Sequence, residues 1–188
     1  MAHVDTATIL ALNSGSSSLK FGLYRVGSTR TDVLLSGEAE SIGASSSRFS
    51  AQDSLQNELV SEAICIPSQR EAIIRIGRLL VESNMPAPAA VGHRIVHGGP
   101  KLRQHCLIHD SVLRQLEAAT AFAPLHTPAA LSVIRFAQEH FAALPQVVCF
   151  DTSFHAGLPE VARVLAIPKE LQSEGLQRYG FHGLSCES

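Results

Sequence analysis

Residues 13–20 read NSGSSSLK, a Gly- and Ser-rich turn between two apolar runs that ends on a lysine. Such a turn can offer backbone N–H groups and hydroxyls to an anion, with Lys20 adding fixed charge. A plain solvated hairpin turn is the other reading. It is not a Walker motif, which needs GxxxxGK and a Ser or Thr ahead of a helix. Residues 91–100, VGHRIVHGGP, read as a strand whose side chains alternate, so Arg94 and Val96 share one face while His93, Ile95 and His97 share the other. A guanidinium beside a compact apolar group suits a small carboxylate, although a surface ion pair would use the same arginine. His93 and His97 make a poor zinc pair, because four residues of extended chain put them roughly 13 Å apart. His105 and His109 share that spacing.

Three further stretches complete the set. In APLHTPAA, residues 123–130, His126 precedes a helix start, where free N–H groups and the helix dipole favour an anion; a structural histidine is the alternative. In VVCFDTSFHAGLP, residues 147–159, Asp151 ends a buried strand, the position where open α/β sheets place ligand-binding groups. It reads equally as a metal ligand or orienting group and as the cap of the next turn. In RYGFHGLS, residues 178–185, two glycines around Phe181 and His182 predict a tight loop that presents the histidine, or one that packs it.

Positioning these stretches requires a sheet. Residues 6–12 and 19–26 are β-rich and predict a hairpin; residues 32–38 follow as a third strand and residues 59–66 extend the sheet. The Ser-rich segment between them, with Gly43, reads as loop or weak strand. Ile73, Ile76, Leu79 and Leu80 recur at helical spacing after Ser68, and Glu71 three residues on completes a capping box. Asn84, Pro86 and Pro88 end that helix, and residues 89–96 form the next strand. Asp110 is expected to cap a helix running to residue 121, and Thr127 another with Pro128 at its first position. Residues 146–150 form a near-continuous apolar run, expected to be a strand buried on both faces, and residues 161–167 a shorter strand. Strands first, then helices alternating with strands, predict an α/β domain with a mixed sheet flanked by helices.

Composition narrows the partners. The chain has 188 residues, 45% hydrophobic and 17% charged, enough for a real core and against wholesale disorder. A net charge of −2 gives no footprint for nucleic acid or an anionic membrane, so any bound anion needs a local site. Cys65, Cys106, Cys149 and Cys186 include no CxxC pair; Cys65 and Cys149 sit in apolar runs and are expected in the core. The N-terminal apolar stretch is too short to span a bilayer and lacks a basic flank. These features predict a reduced, soluble, cytoplasmic protein.

Taken together and in order, NSGSSSLK, GHRIVHGGP, APLHTPAA, FDTSFHAGLP and YGFHGLS resemble the sequence blocks of the acetate kinase family, from about residue 9 to residue 185. The resemblance implies an actin-like, sugar-kinase and heat-shock-ATPase (ribonuclease H-like) fold, with two similar domains around a cleft. Residues 1–188 would be the N-terminal domain, ending before the second domain that holds most of the nucleotide. The implied activity is reversible phosphoryl transfer from ATP to acetate with Mg2+, and the implied assembly is a homodimer formed through the second domain. By position, Asn13 resembles the magnesium-site residue, Lys20 the ATP-phosphate contact, and Ser16 and Ser18 the lining of the same loop. Arg94 matches the carboxylate binder, Asp151 the essential acid and His182 the transition-state stabiliser, with His126 nearby. Val96, Leu125 and Phe181 resemble the pocket around the substrate methyl. Leu184 and Cys186 depart from the pattern, standing where many members carry Thr and His.

Chemistry qualifies one of those roles. Acetate, like any carboxylate with a pKa of about 4, is already ionised at neutral pH and needs no base. Asp151 is therefore expected to position Arg94 or the metal ion. Two alternatives remain: a propionate or butyrate kinase of the same family, and a fragment that binds ligand without turnover.

Overall fold

The computed structural model describes residues 6–173, 176 and 178–188. β1 (Ala7–Ser14) and β2 (Leu19–Val26) form the expected hairpin, with Leu12 opposite Phe21 and Asn13 opposite Lys20. β3 (Thr31–Glu40), β4 (Ser47–Asp53) and β5 (Glu58–Ile64) continue the antiparallel ribbon outward. On the other side of β1 the chain changes direction. After α1 (Gln69–Glu82), β6 (Ala90–Ile95) lies parallel to β1. Beyond it the two-residue β7 (Cys106–Leu107), α2 (Asp110–Ala118) and α3 (Thr127–His140) lead to β8 (Gln146–Phe150). β8 is parallel to β6, and β7 pairs antiparallel to β8 at the edge, giving the order β5-β4-β3-β2-β1-β6-β8-β7. Among the described residues, four short helices follow β8: α4 (Asp151–Phe154), α5 (Glu160–Arg163), α6 (Lys169–Ser173) and α7 (Gly183–Glu187).

The pleat sorts the side chains. Leu10 and Leu12 of β1, Phe21 and Leu23 of β2, Val91 and Ile95 of β6, and Val148 and Phe150 of β8 turn to one face, each at most 5% exposed. That face is covered by α1, α3 and α2. Ile73, Ile76, Leu79 and Leu80 of α1 and Val133 and Ala137 of α3 join the larger core, and Leu116 and Ile134 meet Val148 and Phe150 in a second cluster. Ser68 caps α1 as the capping box predicts, its hydroxyl accepting the Glu71 N–H at 3.4 Å. The opposite face, with Ile9, Ala11, Gly92, Val147 and Cys149, is only partly covered.

Several expectations need correction. The Ser-rich segment divides: residues 41–46, with Gly43, form the expected turn, while residues 47–53 form a full strand, β4, because Ser47, Phe49 and Ala51 alternate inward and the strand pairs with both neighbours. β8 is fully buried on one face only, since Val147 and Cys149 lie on the partly covered side. Residues 161–167 form no strand: α5 takes the first of them, Val161 is 92% exposed, and none of them pairs with the sheet. His109, not Asp110, is the N-cap of α2, which ends at Ala118 before a 3-10 turn, Ala119–Phe122. His126, not Thr127, is the N-cap of α3, so Pro128 falls second. Cys65 is exposed and Cys149 half-buried, so neither is a core residue.

Candidate active site

β1, β6 and β8 run in parallel, and their C-terminal ends meet on one edge of the sheet. Because Leu12 pairs with His93 across β1 and β6, the next residues, Asn13 and Arg94, are neighbours. Asn13 also faces Lys20 across the hairpin. The pleat thus puts Asn13, Lys20 and Arg94 on the same, partly covered face. Asp151 follows one residue after β8 and is 1% exposed.

Arg94 organises the edge. Its Nε donates to Asp151 Oδ1 at 3.1 Å and its Nη2 to Asp151 Oδ2 at 2.7 Å, a bidentate pair, while Nη1 donates to Asn13 Oδ1 at 3.3 Å. Hydrogen bonding to Asp151 holds the Arg94 pKa above its ordinary value, partial burial opposing. A guanidinium has five N–H donors; three are engaged, and the remaining two suit the oxygens of a small carboxylate.

These groups line a cavity of about 660 Å³, within the usual range for small-ligand sites. Asn13, Ser14, Gly15, Ser18 and Lys20 form its polar side; Val96, Leu125, Phe181 and Phe122 with the following Ala123 and Pro124 form an apolar side; Arg94, Asp151, His126 and His182 complete the lining. The Ser-rich turn is closed by the Gly15 N–H donating to the Ser18 carbonyl at 2.8 Å. Lys20 Nζ stands 3.7 Å from Glu38 Oε2 with the side chain 62% exposed. So exposed a pair contributes at most about 1 kcal/mol and leaves the ammonium free to swing to an anion.

His182 reaches the cavity through backbone constraint. It adopts φ 56°, a left-handed conformation that costs a non-glycine residue about 1–2 kcal/mol. A Cβ at the following Gly183 would stand 2.0 Å from the Asp151 carbonyl oxygen and 2.6 Å from Phe154 Cβ. Only glycine lets α7 pack this close to α4, and that contact holds His182 beside Asp151. His155 Nε2 lies 3.0 Å from the Phe181 carbonyl oxygen and ties the same loop to the turn after α4.

The sequence-predicted residues Asn13, Ser18, Lys20, Arg94, Val96, Leu125, His126, Asp151, Phe181 and His182 all line this one cavity. Ser16 does not; it is exposed and outside the cavity lining. Sequence reasoning missed Phe122, whose ring is 45% exposed yet stacks on His97. Its position just ahead of the APLH stretch was the available signal. His93, on the covered face, bonds Gln146 Oε1 through Nε2 at 2.7 Å, and burial pushes its imidazole down to about 4. Among the described residues no group of three His, Cys, Asp or Glu could hold a metal ion, and no helix is long and apolar enough to cross a membrane.

Known proteins resemble this chain in sequence and in fold. The sequence profile of the Acetokinase family matches residues 8–187. An acetate kinase of Shewanella amazonensis is 42% identical over 187 residues, covering 97% of this chain and 46% of that protein. The crystal structure of a propionate kinase from Francisella tularensis superposes with a TM-score of 0.83 at 35% identity, covering 94% of this chain and 45% of that one. That of Porphyromonas gingivalis acetate kinase does so with a TM-score of 0.82 at 32% identity over the same shares. The fold shared with these kinases is the actin-like ATPase fold. The chain spans about half the length of the curated relatives it matches.

Proposed function

The chain belongs to the acetokinase family, and we propose that it supplies the carboxylate-holding wall of an acetate kinase, which moves a phosphoryl group reversibly from ATP to acetate. The observation that carries this reading is the Arg94–Asp151 pair, set between an apolar recess and the Ser-rich turn. The two free guanidinium donors orient the acetate oxygens, and Val96, Leu125 and Phe181 take the methyl group. One carboxylate oxygen attacks the γ-phosphorus in line, the new O–P bond forming as the bond to the β–γ bridging oxygen breaks and ADP leaves. No proton moves, because acetate enters ionised. Asp151 accordingly acts by holding Arg94 in plane. Lys20, Ser18 and the N–H groups of the turn neutralise the ATP phosphates, and His182, with His126 beside it, donates to the equatorial oxygens of the moving group.

The donors fit Mg2+, which prefers oxygen ligands, few carboxylates and substrate phosphates. Asn13 Oδ1 and the Asp151 carboxylate are such oxygens, next to the phosphate-holding turn. When bound, the ion would neutralise charge on the β- and γ-phosphates. The same reading makes the protein a cytoplasmic homodimer whose second domain holds the nucleotide; the family likeness is its support. A propionate kinase is the second reading, favoured by the likeness to the Francisella tularensis propionate kinase.

Hydroxylamine trapping of acetyl phosphate tests the proposal. In an intact kinase carrying this chain, Arg94→Ala should raise the acetate KM and lower kcat together, since the guanidinium holds ground and transition states alike. Both constants staying within about twofold, a small part of the 1.4 kcal/mol that tenfold represents, would remove Arg94 from its role. The chain alone should yield no hydroxamate, because metal, nucleotide and acceptor must be held at once. Turnover on the order of 1–100 per second would overturn that expectation.

A further inference from the structure

Behind the apolar side of the cavity stands a histidine that the reaction does not use. His97 follows Val96 by one residue, on the opposite side of the chain, and is 2% exposed. Its ring stacks on Phe122 with centroids 5.0 Å apart at 19°, and tilts against Tyr179 at 4.4 Å and Phe181 at 5.9 Å. Phe122 also meets Tyr179 edge-on at 5.7 Å. Among the described residues, His97 is the one ring that Phe181 touches. Three segments far apart in sequence, the end of β6, the 3-10 turn before α3 and the loop before α7, thus converge on a single imidazole. Phe122 and Phe181 are 45% and 49% exposed and both line the cavity. Large apolar rings so exposed keep a defined position only if something behind them is rigid.

His97 is itself fixed. The Gly99 N–H donates to its Nδ1 at 2.8 Å, which sets the neutral tautomer with the proton on Nε2. Burial pushes its pKa down, in agreement with an accepting Nδ1. Gly99 has φ 66°, and a Cβ there would stand 2.8 Å from Ala119 Cβ, so the turn that aims this N–H is held against the segment carrying Phe122.

We propose that His97 is a positioning residue whose ring backs Phe122 and Phe181 and so sets the length of acyl chain the cavity takes. The inference rests on the reading above that the cavity holds a carboxylate. A smaller, ring-free side chain at this position lets both phenylalanines retreat, and the apolar recess lengthens. One methylene in an apolar pocket changes discrimination by about tenfold or more.

NMR titration of the chain with acetate, propionate and butyrate tests this, with the aromatic resonances followed before ligand is added. His97→Asn keeps an acceptor for the Gly99 N–H and removes the ring; His97→Phe keeps a ring and removes the acceptor. The Asn variant should move the Phe122 and Phe181 ring resonances and shift the acetate-to-butyrate ratio of Kd about tenfold toward butyrate. The Phe variant should keep the parent ratio within about twofold. If circular dichroism shows the Asn variant unfolded, His97→Leu is carried through the same titrations with the same expectation. Unmoved Phe122 and Phe181 resonances overturn the positioning role, with or without ligand. Moved rings with an unchanged ratio overturn the control of chain length and leave the carboxylate reading standing. Equal shifts in the Asn and Phe variants overturn the assignment to the ring. No carboxylate binding by the parent chain overturns the carboxylate reading and this inference with it.

Discussion

In the antiparallel half of the sheet, β2 to β5, each strand turns back on the one before it, so both ends of the ribbon are closed by short connections. In the parallel half, β1, β6 and β8 point the same way, and their connections cross over through helices on one face. Both halves bury that face equally well, from Leu23 and Leu35 in the ribbon to Val91 and Phe150 in the parallel part, each 0% exposed. They differ at the edges. Three parallel strands end side by side, and Asn13, Arg94 and Asp151 stand at or just past those ends. An antiparallel ribbon has no edge where consecutive strand ends gather. The cavity therefore draws Asn13, Arg94 and Asp151 from the parallel half and adds Lys20 of β2 from the ribbon, whose further strands supply core.

The largest effect that could break this division lies in the ribbon. Leu35→Ala, at a fully buried site in β3, should cost about 2–5 kcal/mol of unfolding free energy by urea denaturation. Carboxylate preference should stay unchanged. A shifted preference would mean that the two halves are coupled and the division false.

A second, smaller effect tests the covered face of the parallel half. His93 bonds Gln146 there, and its pKa is lowered from 6.5 to about 4. Between those values the unfolded chain binds a proton at this residue and the folded chain does not. Stability should therefore fall as pH drops from 6.5 toward 4, by about 3 kcal/mol in full. His93→Gln keeps a hydrogen-bonding partner for Gln146 but cannot titrate. Urea denaturation at pH 7 and pH 4.5 should show a flatter dependence in the variant, and parallel curves would refute the assignment.

The smallest effect sharpens the contrast. Val96→Ala removes two methyl groups from the apolar side of the cavity. In the intact kinase it should raise propionate kcat/KM relative to acetate by a factor worth roughly 1–3 kcal/mol. An unchanged ratio would take Val96 out of the substrate's reach.

Much of this was legible in the sequence for reasons that can be named. Alternation placed Arg94 and Val96 on one face and His93 on the other, and turn residues located the β1–β2 hairpin. The blocks that resemble the family named ten of the cavity's residues. Long-range pairing was not legible: Arg94 and Asp151 are 57 positions apart, and only the parallel register of β6 and β8 brings them together. β4 was obscure because SRFSAQD has a single large apolar residue. Its Ser47 is buried with its hydroxyl donating to the Ser41 carbonyl and accepting the Ile66 N–H, polar satisfaction that no periodicity reveals. Residues 161–167 erred the other way, apolar enough for a strand yet opened by a helical turn that leaves Val161 92% exposed and outside the sheet. Ser16 shares the turn with Ser18 yet does not line the cavity, a distinction of local geometry that composition does not carry.

The register that sets Asn13 against Lys20 on one side and next to Arg94 on the other has a consequence for how this chain can change over generations. Inserting or deleting one residue within β1 would turn every following side chain to the opposite face, exchanging Asn13 with a core leucine. Length changes in β1 are thus closed to evolutionary drift. The turn at residues 27–30, which joins β2 to β3 far from the cavity, can gain or lose residues and leave the site intact.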